Sequence, residues 1–211
     1  MGRISGALNR DHDEKRGKLA SSLAHVILAA QGKHLSLKEL AESVKVDPGT
    51  LRHYFTDRTG VVQAAFESLL PMGEAQKARA AQLAELPARK GITTLCERIM
   101  AAWPQMLGGM HAAGFVEGMS NGELGQAYVA TMLEPTLDAV EKLLVAYAAR
   151  GELEVRDARI AALALMSPVF LALFHQHQLM GRKCRPLDLD AFLEGHLEDF
   201  FRGHGPRSRS S

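Results

Sequence analysis

The feature that most constrains the fold of this sequence is the segment 36–55, which carries start signals for two short helices. Ser36 is followed three residues later by Glu39, the pattern of a capping box that satisfies unpaired backbone N–H groups at a helix start. Asp47 is a favoured N-cap, and Pro48 suits the first helical position because its missing N–H would have had no partner there. The segment therefore predicts two short helices joined by a tight turn.

Apolar spacing predicts the buried face of each short helix. In the first helix this face consists of Leu37, Leu40, Ala41 and Val44, and in the second of Val46, Leu51 and Phe55. The outward face of the second helix is small at its front end and polar or cationic behind: Pro48, Gly49, Thr50, Arg52, His53 and Tyr54. A helix-turn-helix needs such an edge to enter a DNA major groove. On pattern alone, a helical hairpin inside a core is the alternative.

Residues 37–62, above all the run Val-Asp-Pro-Gly-Thr-Leu-Arg-His-Tyr-Phe-Thr-Asp-Arg-Thr-Gly-Val-Val, resemble the signature of the tetracycline-repressor (TetR) family of bacterial transcription regulators. The positions that match by type and spacing are Val46, Thr50, Leu51, Phe55 and Arg58. Three positions depart from the usual run: Lys45 replaces the turn glycine, Arg52 a tyrosine, and Tyr54 a histidine. Lys45 is expected to adopt a left-handed backbone conformation, which is costly for a non-glycine residue.

The resemblance implies an all-α protein with an N-terminal three-helix DNA-binding head and a larger C-terminal helical domain for ligand binding and dimerisation. Helical periodicity along the rest of the chain agrees, and no strand signal of weight is present. We expect residues 1–10 to form a flexible arm, 11–56 the DNA-binding domain, 57–202 the ligand-binding and dimerisation domain, and 203–211 a disordered tail. The glycine-rich stretch 108–125 predicts loops.

The predicted DNA-binding residues fall into two groups. Phosphate contacts are assigned to Ser36, Thr50 and Arg58, and groove contacts to Pro48, Gly49, Arg52 and His53, with Lys45 and Tyr54 beside them. Residues 1–60 hold ten Lys and Arg against seven Asp and Glu, whereas residues 61–201 hold twelve against seventeen. Phosphate binding needs the positive polarity of the first part. This excess of positive charge is modest, so it is consistent with DNA binding but does not require it.

Six of the nine methionines lie between residues 100 and 166. Flexible thioethers can line an adaptable apolar cavity, although methionines at helical spacing are also ordinary core residues. Because the family has its inducer pocket among the middle helices, the resemblance predicts a ligand-binding set of Trp103, Met106, Met110, His111, Phe115, Met119, Tyr128, Met132, Met166, Phe170 and His175. An apolar or amphipathic inducer is expected, with His111, Glu117 or His175 orienting it.

Two apolar helices are predicted near the C-terminus, at 157–180 with Pro168 bending the first, and at 188–202. Their apolar surface needs a partner, and the resemblance implies that they pair with a second copy in a four-helix dimer interface. The expected partners are therefore double-stranded operator DNA, a small-molecule inducer and a second copy of the chain.

No phosphate loop, nucleophile elbow or His-Glu-x-x-His motif is present, so no catalytic residue, cofactor or metal is predicted. His175 and His177 are two residues apart and cannot chelate from one regular helix. Cys96 and Cys184 lie far apart, which fits a reducing compartment. No run of about 18 apolar residues and no charged-then-apolar N-terminus occur, which predicts a cytoplasmic protein without a membrane anchor.

The sequence thus predicts a ligand-responsive transcriptional repressor that leaves a near-palindromic operator when a small inducer binds. Two alternatives stay open. One is a helical ligand-binding or enzymatic domain, and the other is a dimeric adaptor without DNA binding, which the departures at Lys45 and Arg52 allow.

Overall fold

The computed structural model describes residues 5–71, 78 and 81–205, with side chains from residue 10 onward. Every regular element in these ranges is helical, which confirms the predicted all-α class. The elements are α1 (Ser5–Ala29), α2 (Leu37–Ser43), α3 (Pro48–Phe55), α4 (Arg58–Glu67), α5 (Ala88–Ala102), a π-helical turn (Trp103–Leu107), α6 (Gly108–Ser120), α7 (Gly122–Tyr128), a second π-helical turn (Val129–Leu133), α8 (Glu134–Ala149), α9 (Ala158–His177), α10 (Gly181–Cys184) and α11 (Leu189–His204).

The contacts divide the chain into two compact units. The first takes in the chain up to Pro71 together with Gly109–Met132, and the second the described residues between Met72 and Gly108 together with those from Leu133 onward. A domain boundary was expected at residue 56. Helices α4, α6 and α7 follow that position in sequence, yet they belong to the same compact unit as the N-terminal helices. The functional division of the chain at that boundary stays a prediction.

The first unit has one core, in which α1 packs on α2 and α4, α3 on α2 and α4, and α4 on α7. Its centre consists of fully buried apolar side chains, among them Leu23, Leu40, Leu51 and Phe66. Helix α1 begins at Ser5 and not near residue 13, so the described part of the expected flexible arm is helical; residues 1–4 lie outside the described residues. The helix gives way to a turn at Gln31 and Gly32, both with positive φ, close to its predicted end.

The glycine-rich stretch, for which loops were predicted, is helical in α6 and α7, so that prediction was wrong. All of its glycines except Gly122 lie where the backbone approaches a neighbour. A Cβ on Gly109 would lie 2.2 Å from the carbonyl oxygen of Leu28, and one on Gly114 2.1 Å from the Tyr128 ring. Close packing between helices, rather than loose order, explains these glycines.

In the second unit, α8 packs on α9, and α11 packs on α5 and α9. Trp103, Tyr147, Leu144 and Leu165 are fully buried in the core that these helices share. Tyr147 donates a hydrogen bond of 2.7 Å from its hydroxyl to the carbonyl of Leu83. Single carboxylates cap two helices of this unit, Asp157 for α9 and Asp188 for α11, and Gly151 with φ of 72° follows α8.

Helix α9 is, by length and composition, the one helix among the described residues that could cross a membrane. A core helix of a soluble protein has the same properties, and one side of α9 is buried in the second unit through residues such as Leu165, Met166 and Val169. Its other side exposes Ile160, Leu163 and Leu171, of which Ile160 is 65% and Leu171 67% accessible.

The chain end differs slightly from the prediction. Helix α11 continues to His204 rather than ending near Arg202, so the first residues of the expected disordered tail are helical. The rest of that tail, residues 206–211, lies outside the described residues.

Candidate nucleic-acid interface

The start of α2 forms the predicted capping box. The Ser36 hydroxyl accepts from the Glu39 backbone N–H at 3.2 Å, and a Glu39 carboxylate oxygen accepts from the Ser36 backbone N–H at 2.8 Å. The hydrogen bonds that the Ser36 backbone N–H and hydroxyl donate to the Glu39 carboxylate lower the pKa of Glu39 below its usual value. Because the Ser36 hydroxyl also bonds Glu39, the residue predicted to contact a phosphate already has a structural role.

The turn between α2 and α3 depends on Lys45. Its φ of 58° is left-handed, as predicted from its place in the turn. The Lys45 N–H donates to the carbonyl of Glu42, and the Val46 N–H donates to that of Ala41, which together make a Schellman motif. Glycine usually occupies this position, because the left-handed conformation costs an L-amino acid about 1–2 kcal/mol. Lys45 thus keeps the turn geometry at the expense of backbone strain.

Helix α3 begins as predicted, with the Asp47 carboxylate accepting from the Gly49 N–H at 2.7 Å and Pro48 at the first helical position. Leu51 and Phe55 are buried and fix the rotation of the helix. The predicted DNA-contact residues of α3 are therefore on its accessible side: Gly49, Arg52 and His53 are exposed, and Pro48, Thr50 and Tyr54 are half-buried.

A residue that sequence reasoning missed, His12 of α1, contacts this edge. Its ring centroid is 4.8 Å from that of Tyr54 and 5.6 Å from that of His53, and the His53 and Tyr54 centroids are 5.0 Å apart. One turn further along α1, the Arg16 guanidinium lies 5.3 Å from the centroid of the Phe55 ring. The four-residue spacing of His12 and Arg16 was the available signal, since it places both on one face of α1.

Arg58 has a different environment from the one predicted. Its Nη1 and Nη2 donate to the two carboxylate oxygens of Glu117 at 2.8 and 2.5 Å, and its Nε donates to the Leu35 carbonyl at 2.6 Å. Only 22% of the Arg58 side chain and 7% of the Glu117 side chain are accessible. A fork-shaped cation with all three nitrogens engaged in this way has a structural role inside the first unit. The phosphate contact assigned to Arg58 stays a prediction.

The same pair gives Glu117 a role other than orienting a ligand. His34 approaches it as well, with Nδ1 3.7 Å from a carboxylate oxygen. The network joins the start of α4, the segment leading into α2, and α6. It therefore holds the helix-turn-helix against two other helices of the first unit.

The predicted ligand-binding residues divide between the two units. In the first, the buried His111 and Tyr128 share a hydrogen bond of 2.8 Å, and the Phe115 ring lies 5.7 Å from that of Tyr128. Burial lowers the pKa of His111 to about 4, so it is neutral near pH 7. Burial also raises the pKa of the Tyr128 hydroxyl. Met110 and Met132 are buried, whereas Met119 is 81% accessible and faces solvent instead of an enclosed pocket.

In the second unit, aromatic rings surround the predicted residue Trp103. Its ring centroid is 5.4 Å from that of Phe170 and 5.1 Å from that of Phe174, and its Nε1 donates to Gln178 at 2.9 Å. Met166 is buried and Met106 half-buried, while the His175 Nδ1 lies 2.7 Å from the Gln176 amide nitrogen. Trp103 and Met166 belong to the core of the second unit, and Phe170 and Phe174 pack against that core.

Within the described ranges, no group of three or more His, Cys, Asp or Glu side chains is arranged to hold a metal ion. Cys96 is buried, which raises the pKa of its thiol to about 12, and Cys184 is exposed. A buried thiol of that pKa is unreactive near neutral pH.

Solved structures with the same fold span almost the whole chain. A TetR-family transcriptional regulator from Pectobacterium atrosepticum matches with 15% identity and a TM-score of 0.60, covering 95% of this chain and 98% of its own. FadR from Bacillus subtilis, a transcriptional regulator solved in complex with stearoyl-CoA, matches with 16% identity and a TM-score of 0.66, covering 88% and 97%.

NalD from Pseudomonas aeruginosa, the secondary repressor of the MexAB-OprM multidrug efflux pump, matches with 20% identity and a TM-score of 0.59, covering 94% of this chain and all of its own. No protein-family model and no curated protein sequence matches the chain. The chain therefore has the fold of TetR-family transcriptional regulators.

Proposed function

We propose that this chain is a ligand-responsive, DNA-binding transcription regulator of the TetR family, acting as a repressor. The observation that carries the proposal is the capped α2, the Schellman turn and α3, which present an accessible edge of small, polar and cationic side chains. An edge of this kind suits the major groove, where the recognition helix of a helix-turn-helix contacts base edges with its first residues.

On this proposal, Arg52 and His53 contact base edges, and Pro48 and Gly49 let the α3 backbone approach the groove closely. Lys45, Thr50 and the start of α2 at Ser36 contact phosphates. Arg58 supports this surface without touching DNA, because its hydrogen bond to the Leu35 carbonyl holds the segment that leads into α2.

The test begins with selection of duplexes from a random pool by the wild-type protein, followed by affinity measurements on the selected operator. We expect Arg52→Ala to weaken binding and relax sequence preference. Lys45→Ala should reduce the salt slope of log K by about 1. Lys142→Ala on α8 removes the same charge outside the first unit and serves as the control. Failure to enrich any sequence would refute the proposal.

For dimerisation we propose an interface made by α9 and α11. Ile160, Leu163 and Leu171 form an exposed apolar strip on α9, and such a strip on a helix favours burial against a partner. Two heads related by a two-fold axis would read half-sites roughly 34–36 Å apart. Leu171→Glu combined with Ile160→Glu should convert a dimer to a monomer in sedimentation velocity. A wild-type monomer would remove this part of the proposal.

An apolar or amphipathic inducer remains the proposed ligand class. The B. subtilis regulator of the same fold was solved with stearoyl-CoA, which makes that compound a sensible first probe. A rise in melting temperature with stearoyl-CoA, together with release of the selected operator, would support an acyl ligand. Stabilisation by neither stearoyl-CoA nor other amphiphiles would count against this class.

The alternatives predict different results. An enzyme would show turnover without DNA affinity, and an adaptor would dimerise without enriching any duplex. The Schellman turn favours the regulator over the adaptor, because Lys45 leaves the geometry between α2 and α3 intact. We place the protein in the cytoplasm on this proposal, since its operator is there.

A further inference from the structure

We propose that His12 of α1 is a positioning residue for operator recognition, which orients the His53 side chain on the reading edge of α3. The inference rests on the proposed function of α3. It adds a residue outside the helix-turn-helix to the machinery that decides sequence preference.

The geometry supports this role through mutual ring contacts. His12 lies edge-on to His53, with 79° between the ring planes, and His53 lies edge-on to Tyr54 at 75°. His12 and Tyr54 are tilted by 37° at 4.8 Å, so each ring touches the other two. Offset and edge-to-face pairs at these distances are favourable. An exposed side chain on α3 is thereby restricted by a neighbour on a different helix.

A second side-chain contact links α1 to α3. Arg16, one turn after His12, covers the ring of Phe55, which is buried in the core of the first unit. His12 and Arg16 therefore contact the C-terminal half of α3 side by side. Asp13 lies beside His12, with 3.7 Å between the Asp13 carboxylate and Nδ1 of His12, and Lys15 is paired with Asp11.

Restricting His53 before binding has a consequence for recognition. A side chain that is free in the unbound protein loses rotamer freedom on contact with a base, whereas a held one has already lost it. Without the His12 ring, His53 would lose this rotamer freedom on binding, which lowers the affinity. We expect His12→Ala to weaken affinity for the selected operator by about three- to tenfold. Binding to non-specific DNA should stay the same, because no phosphate contact is lost, and the salt slope should not change.

The experiment compares operator and non-specific affinities for a small set of variants. His12→Phe keeps a ring in place and should retain the discrimination between operator and non-specific DNA, while His12→Ala should reduce it. His25→Ala is the matched control, since His25 is an exposed histidine of the same helix whose ring nitrogen bonds the Ser21 carbonyl within α1. Melting temperatures of all variants report whether the head stays folded.

The decisive measurement is a double-mutant cycle with His53. If His12 acts through His53, His12→Ala should have no further effect on discrimination in the His53→Ala background. An equal loss in both backgrounds would overturn the proposal, because it would mean that His12 contacts DNA itself. A wild-type protein that selects no duplex at all would instead refute the proposed function, so the two failures are distinguishable.

Discussion

The ion pair between Arg58 and Glu117 yields the sharpest prediction about stability. Arg58→Ala removes two hydrogen bonds to Glu117 and one to the Leu35 carbonyl, and it leaves a carboxylate that is only 7% accessible without its cation. Breaking a buried pair typically costs 3–5 kcal/mol, and the 22% accessibility of Arg58 brings our expectation to about 3 kcal/mol. For a chain of 211 residues this corresponds to a fall in melting temperature of roughly 6–12 °C.

The assay is chemical and thermal unfolding followed by far-UV circular dichroism, for Arg58→Ala, Glu117→Ala and the double variant. Because the second substitution removes the charge that the first leaves unpaired, the double variant should be more stable than the sum of single effects implies, by about 1.5 kcal/mol or more. Arg58→Lys keeps the charge but not the fork, and should recover only part of the loss. Additive effects within about 0.5 kcal/mol would show that the two residues do not act as a pair.

Operator affinity tests the same residue in a second way. If Arg58 contacted a phosphate, Arg58→Ala would lower the salt slope of binding by about 1. If Arg58 instead stabilises the helix-turn-helix without touching DNA, Arg58→Ala should weaken binding and leave the salt slope unchanged. A lowered slope would restore the role predicted from the sequence and refute our interpretation of the contacts.

Three further predictions concern the backbone and the buried histidine. Lys45→Gly should be more stable than Lys45→Ala by about 0.5–1 kcal/mol in denaturant unfolding, because only glycine relieves the left-handed φ; equal stability would contradict this. Gly114→Ala should destabilise by about 1–3 kcal/mol, since its Cβ would lie 2.1 Å from the Tyr128 ring, whereas Gly122→Ala, with nothing within 4 Å, should not destabilise the chain. His111, with a pKa of about 4 in the folded chain against about 6.5 unfolded, should contribute stability above pH 6.5 that is lost as the pH falls towards 4. The loss is on the order of 3 kcal/mol, and His111→Phe should flatten this pH dependence.

Much of the helix-turn-helix was predictable because its signals are local. The capping box of Ser36 and Glu39, the Asp47 cap, and the left-handed Lys45 all depend on bonds between residues at most five apart. Backbone chemistry at that range depends little on the rest of the fold. The burial of Leu51 and Phe55 also followed from the helical period alone.

The glycines of α6 and α7 show where local reasoning failed. A glycine-rich segment favours loops by propensity, because glycine has more backbone freedom to lose than other residues. In Gly109 and Gly114 the missing side chain instead lets another backbone or ring approach. The energy of that contact depends on a partner elsewhere in the chain. The residues next to the glycine therefore do not reveal it.

What the sequence by itself determined is the class of the fold, the two short helices, and the accessible edge of α3. Only the tertiary structure decided which cations and rings belong to that edge. Arg58 is 59 residues from Glu117 along the chain, and His12 is on another helix from His53. A side chain whose partner is that distant has no local signature, because its free energy depends on burial and geometry that arise only when the helices pack.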